Sequence, residues 1–130
     1  MSDLYEDGDR GSKPMHLIKK EGVTLAYQDI NPDLPPMLFV HGWGCDHTAL
    51  APQAEFFRHS HRVVSVDLRG HGKSDAPDQD YTMAAFAHDL VWLCTELALT
   101  NPVVVGHSMG GNSVGACCTL SRDSRVDCVD

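Results

Sequence analysis

Residues 106 to 111 read GHSMGG and place one hydroxyl, Ser108, midway between Gly106 and Gly110, directly after the apolar run Pro102-Val103-Val104-Val105. A serine hydroxyl is a weak nucleophile. To attack a carbonyl carbon it must be presented to substrate, deprotonated by a base, and faced by donors that stabilise the oxyanion. The spacing Gly-x-Ser-x-Gly answers the first need. It describes a strand-to-helix turn so tight that side chains two places either side of the serine would collide, which leaves the serine exposed at the carboxyl edge of a sheet. The backbone N–H of Met109 then lies at a helix N-terminus, where developing negative charge is favoured, so it is a candidate oxyanion donor. Glycine and serine are also common in loops, and the bare spacing arises by chance. Three neighbours argue for chemistry: the β-like run before it, Gly111 after it, and a second glycine loop, His41-Gly42-Trp43-Gly44, following another apolar run.

A sheet is needed to hold these loops. Residues 15–19 and 23–29 flank Glu21-Gly22 and read as a hairpin. Residues 30–36 carry three prolines and must be loop. Residues 37–40 and 62–66 are short, continuously apolar runs, the pattern of strands covered on both faces. Residues 48–58 have helical composition, with Pro52 tolerable in a first turn. Met83, Phe86, Leu90, Leu93 and Leu97 recur at helical steps behind Thr82, a candidate N-cap. Residues 102–105 form the strand leading to Ser108, and 126–129 are a candidate for the next. Strands alternating with helices predict an α/β fold with a mostly parallel sheet and helices on both faces.

Three motifs in this order, FVHGWG (39–44), VDLRGHGKSD (66–75) and VVVGHSMGG (103–111), resemble the α/β-hydrolase superfamily, in particular its branch of small esterases, epoxide hydrolases and cofactor-free haloperoxidases. The resemblance covers residues 15 to 111. It implies Ser108 as nucleophile, the backbone N–H groups of Trp43 and Met109 as oxyanion hole, and Gly42, Gly106 and Gly110 as the glycines that let loop and elbow approach each other. It implies a small acyl compound as substrate and no cofactor. His41 is expected to brace its loop. The Trp43 side chain either lines the acyl or alcohol pocket or is a packed aromatic.

Other motifs carry less. Gly70-His71-Gly72-Lys73-Ser74 ends like a phosphate-binding loop, but the glycine required five residues before Gly72 is Asp67. Asp67 and Arg69 are expected to hydrogen-bond locally. His59 and His61 have no third ligand at a recognised spacing, so no metal is expected. His88 falls on the polar side of its helix beside Asp89, and His107 shares the backbone of Ser108 without pointing where a base must.

The formal net charge of −8 argues against a nucleic-acid groove, and no apolar stretch is long enough to span a membrane. The five cysteines have neither metal spacing nor an even count, which favours reduced thiols and a cytoplasmic setting. Residues 1–14 read as a disordered acidic tail and 15–130 as a partial hydrolase domain. In the resembling family an acid and a histidine follow the serine, yet none of residues 109 to 130 is histidine. The expectation is therefore an incomplete domain, a fragment or a chain whose reading frame changes near Asn112, inactive and marginally folded by itself. The rival readings are a non-catalytic ligand-binding protein on the same scaffold and a perhydrolase or haloperoxidase. The sequence carries no signal of oligomeric state.

Overall fold

The computed structural model describes residues 14–78, 81–108 and 110–111, together with the strand at 127–129. Met109 and residues 112–126 fall outside the described residues, as does the acidic tail. In chain order the elements are β1 (His16–Lys20), β2 (Val23–Ile30), β3 (Pro36–Val40), a 3-10 turn (His47–Leu50), α1 (Ala51–Phe57), β4 (Arg62–Asp67), α2 (Met83–Glu96), β5 (Val103–Gly106) and β6 (Asp127–Val129). Six strands form one sheet in the order β1-β2-β4-β3-β5-β6.

The four inner and C-terminal strands, β4, β3, β5 and β6, pair in parallel. The opening hairpin turns through Glu21 and Gly22, both at positive φ (44° and 88°), the geometry that matches strand twist in a two-residue turn. It then joins the same sheet antiparallel, with β2 on the outer edge of β4. The sheet is thus mixed, parallel where the glycine loops emerge.

Two helices cover opposite faces, and the strand residues alternate between them. Leu38 and Val40 of β3, Val64 and Val66 of β4, and Val104 of β5 pack with Phe86, Leu90 and Leu93 of α2. Met37, Phe39 and Val63 pack instead with Leu50, Ala54 and Phe57 beside Val103 and Val105. Successive strand side chains point to opposite faces, so a run that is apolar throughout has two cores to fill. Phe86, Leu90 and Leu93 are fully buried and each contributes about 1.5–3 kcal/mol of apolar burial. Thr82 caps α2 by accepting from the Ala85 N–H at 3.1 Å. The helical stretch expected at 48–58 is instead a 3-10 turn leading into α1. Asp46 accepts from the Thr48 N–H at 2.9 Å and starts that turn, and Pro52 stands in the first turn of α1.

One buried ion pair was not legible in the sequence. Asp89, on α2, is 1% exposed and accepts from Arg69 Nε at 2.7 Å, Arg69 Nη2 at 2.8 Å and Lys20 Nζ at 3.3 Å. Arg69 therefore does not bond locally. It ties the loop after β4 to α2, and Lys20 ties β1 to the same carboxylate. Such a pair contributes little net stability against an apolar substitute, but a partner left alone in the interior costs about 3–5 kcal/mol. Its consequence is a fixed position for the 68–75 loop. No helix among the described residues is long and apolar enough to cross a membrane.

Candidate active site

The loops that follow β3, β4 and β5 all leave the carboxyl ends of neighbouring parallel strands, where open α/β sheets bind ligands. Ser108 is exposed and holds φ at +57°, the left-handed region. A non-glycine residue there costs about 1–2 kcal/mol, so the surroundings must enforce it. The hydrogen bonds show how. His107 N–H donates to the Val40 carbonyl at 3.0 Å, pinning the turn to the end of β3, and Gly110 N–H donates to the His107 carbonyl at 2.9 Å. Residues 110 and 111 are already helical.

The glycines of the turn are required by space. A Cβ on Gly106 would lie 2.6 Å from the carbonyl carbon and oxygen of Gly110 and 2.7 Å from the Gly111 nitrogen. A Cβ on Gly110 would overlap the Val40 carbonyl oxygen and lie 2.5 Å from that of His41. One glycine admits the helix against the strand, the other admits it against the neighbouring strand. Gly42 is packed less severely, its missing Cβ falling 3.2 Å from the His107 carbonyl oxygen and 3.4 Å from Ser108 Cβ. The loop after β3 therefore lies directly on the serine turn.

His41 holds that loop. Its Nδ1 donates to the Gly42 carbonyl at 2.7 Å, and its Nε2 accepts the Leu68 N–H at 3.0 Å. Burial lowers its pKa and keeps the ring neutral, as an Nε2 acceptor must be. The expected bracing role fits this geometry. Trp43 follows, 65% exposed, its ring edge-on to His71 with centroids 5.2 Å apart. The Trp43 N–H makes no hydrogen bond to another described residue. The other expected donor, Met109, lies outside the described residues.

Asp67 explains why the loop after β4 is not a phosphate site. Its carboxylate is fully buried and fills the space beside Gly72, whose missing Cβ would overlap it. It accepts the His47 N–H at 2.7 Å, His47 Nδ1 at 2.8 Å and the Lys73 N–H at 3.0 Å. The loop wraps a carboxylate of its own chain. Burial alone would raise the Asp67 pKa, but the bonds from the His47 ring and from the Lys73 and His47 N–H groups outweigh it and hold the group below 3.8. The bond to Asp67 raises His47 above 6.5, against an opposing effect of burial.

The stability of this clamp should therefore be complete between 3.8 and 6.5, fall below 3.8 as Asp67 protonates, and fall above 6.5 as pH passes the raised value of His47. Melting temperature of the full-length protein, followed from about pH 5 to about pH 9, is expected to decline on the alkaline side more steeply than that of His47→Gln. Parallel curves for the two proteins would show that the pair does not couple folding to pH.

A cavity of about 410 Å³ opens between these loops, lined by Trp43, Gly44, Cys45, Gly70, His71, Gly72, Ala76 and Tyr81. Tyr81 closes over Gly70 and donates its hydroxyl to the Pro77 carbonyl at 2.7 Å. His71, Tyr81 and the His47–Asp67 pair join the expected residues here. Sequence reading placed His71 only within a motif and attached nothing to Tyr81 or His47. His107 and His88 are exposed, and no group of three or more metal-ligating side chains occurs among the described residues.

A sequence model of the α/β hydrolase fold matches residues 35–129. The chain belongs to the α/β-hydrolase family. Among its relatives, a non-heme chloroperoxidase of Streptomyces lividans is 36% identical over 108 residues, which is 82% of this chain and 39% of the relative. A bifunctional esterase/perhydrolase of Acinetobacter calcoaceticus is 36% identical over 101 residues, 76% of this chain and 37% of the relative. In structure, an esterase from Exiguobacterium antarcticum superposes with a TM-score of 0.78 at 28% identity, covering 88% of this chain and 42% of that one. An epoxide hydrolase from hot-environment metagenomes reaches a TM-score of 0.82 at 24% identity, a likeness of fold. The chain thus spans about two fifths of the length of the relatives it matches. As an α/β hydrolase it carries this family's sheet order and the loops that follow its parallel strands.

Proposed function

We propose that this α/β hydrolase is a serine hydrolase acting on a small ester or similar acyl compound, with Ser108 as nucleophile. The observation that carries the reading is Ser108 held in the left-handed conformation at the carboxyl end of β5, between two glycines whose Cβ positions are occupied by backbone. In this reading Ser108 Oγ bonds to the acyl carbon as its proton passes to a histidine. The backbone N–H groups of Trp43 and Met109 donate to the oxyanion, and the alcohol leaves carrying that proton. Water then releases the acid from Ser108. None of residues 109 to 130 is histidine, so the activating histidine and its acid belong to sequence beyond this chain in the full-length protein. The unpartnered Trp43 N–H beside the serine turn supports its place in the oxyanion hole.

No cofactor enters this scheme. The exposed thiol of Cys45 supports a reducing, cytoplasmic compartment. The names of two relatives favour a second reading, in which the same serine and donors form a peracid from an acyl group and peroxide. A fluorophosphonate probe on the full-length protein is expected to label Ser108, and absence of labelling would instead favour a non-catalytic binding protein. Peracid formation from acetate and hydrogen peroxide, measured beside ester hydrolysis, separates the two enzymatic readings.

A further inference from the structure

The stacked rings of His41 and His71, with centroids 5.0 Å apart, are used differently. Each donates Nδ1–H to a backbone carbonyl, His41 to Gly42 at 2.7 Å and His71 to Arg69 at 3.0 Å. A carbonyl only accepts, so in the neutral ring the opposite nitrogen is an acceptor in both. His41 Nε2 is taken by the Leu68 N–H. His71 Nε2 has no hydrogen-bond partner among the described residues, although the residue is only 8% exposed. His71 also lines the 410 Å³ cavity, whose other large walls are the rings of Trp43 and Tyr81. A buried acceptor left unsatisfied is unfavourable unless water or a ligand completes it. An aromatic wall beside one fixed acceptor is the usual make-up of a small-molecule subsite.

We infer that the Trp43–His71–Tyr81 cavity is a substrate subsite that receives an apolar, ring-sized group bearing a hydrogen-bond donor, a hydroxyl or amide N–H, which donates to His71 Nε2. The position of the cavity links it to the reaction. Trp43 forms its wall, and the residue before it, Gly42, lies against Ser108, its missing Cβ falling 3.4 Å from Ser108 Cβ. Calling the occupant a substrate rests on the hydrolase reading; the selectivity of the cavity does not. The Gly70 and Gly72 backbones and Ala76 leave the space that larger side chains would fill.

The test uses the full-length protein and two probes, 4-ethylphenol, which carries the donor, and 4-ethylanisole, which keeps the oxygen and loses the donor. Calorimetric titration is expected to show the phenol binding about tenfold tighter, because a site built for a donor discriminates strongly against an analogue without one. His71→Phe should bring the two affinities within about twofold. His71→Gln, which restores an acceptor oxygen, should keep the phenol preference. In the unsubstituted protein the His71 Nε2 nitrogen resonance should move on adding the phenol and stay in place with the anisole, a reading that does not depend on any variant folding. Binding of neither probe, equal binding of both, or a phenol preference that survives in His71→Phe would overturn the proposal. Neither probe is an ester, so the result stands apart from catalysis. Failure of fluorophosphonate to label Ser108 removes the hydrolase reading and leaves the cavity's selectivity to this experiment.

Discussion

Replacing Ser108 with alanine in the full-length protein is expected to lower ester hydrolysis by about 10⁴- to 10⁶-fold while leaving the melting temperature nearly unchanged. At about 1.4 kcal/mol per factor of ten, that is roughly 5–8 kcal/mol of transition-state stabilisation lost with one oxygen atom. The fold should not notice, because Ser108 is exposed and alanine adopts its φ of +57° at a similar cost to serine. What remains after substitution is the contribution of the oxyanion donors and of binding. The measurement is kcat/KM on p-nitrophenyl acetate for both proteins, beside their thermal melts. Retention of more than about a tenth of the activity would place the nucleophile elsewhere.

Gly110→Val is expected to fail in the opposite way, losing stability and activity together. The Val40 and His41 carbonyl oxygens and the Val40 carbonyl carbon occupy the space of the new Cβ, and these atoms belong to the end of a central strand and the loop it feeds. They can move only by breaking the pairing of β3 with β4 and β5. Overpacking of this kind costs about 3 kcal/mol or more, which in a protein of this family's size lowers the melting temperature by roughly 6–12 °C. Gly42→Ala makes a milder comparison, since its closest new contacts are 3.2–3.4 Å and involve a loop. If Gly110→Val melts with the unsubstituted protein and hydrolyses ester at its rate, residues 106 to 110 do not act as the proposed elbow.

The two variants probe one six-residue stretch through different physics, and that difference was open to a reader of the sequence. Gly-x-Ser-x-Gly states a steric requirement in residue types alone, because only glycine lacks the atom that would collide. The hairpin at Glu21-Gly22, the stripe of α2 and its Thr82 cap are local in the same sense, each decided by residues within a few positions of one another. Such features survive translation from sequence to structure with shifts of a residue or two, as β3, β4 and β5 show.

What the sequence by itself determined is therefore the set of strands and helices, the continuously apolar strands that demand two covered faces, and the serine turn with its glycines. Tertiary structure decided which distant residues meet. Nothing near Asp89 announces that Arg69 and Lys20 will converge on it, and an aspartate beside a helical histidine reads as solvated until the loop after β4 folds over the helix. Asp67 reads as one residue of a glycine-rich loop, yet it becomes the anchor for His47, twenty positions earlier, because β3 and β4 are parallel neighbours whose carboxyl ends release both loops on the same edge. The same edge stacks His71 on His41 and stands Trp43 against it. Buried polar groups are set by where long-range pairing delivers their partners, and sequence periodicity records only which face a residue occupies.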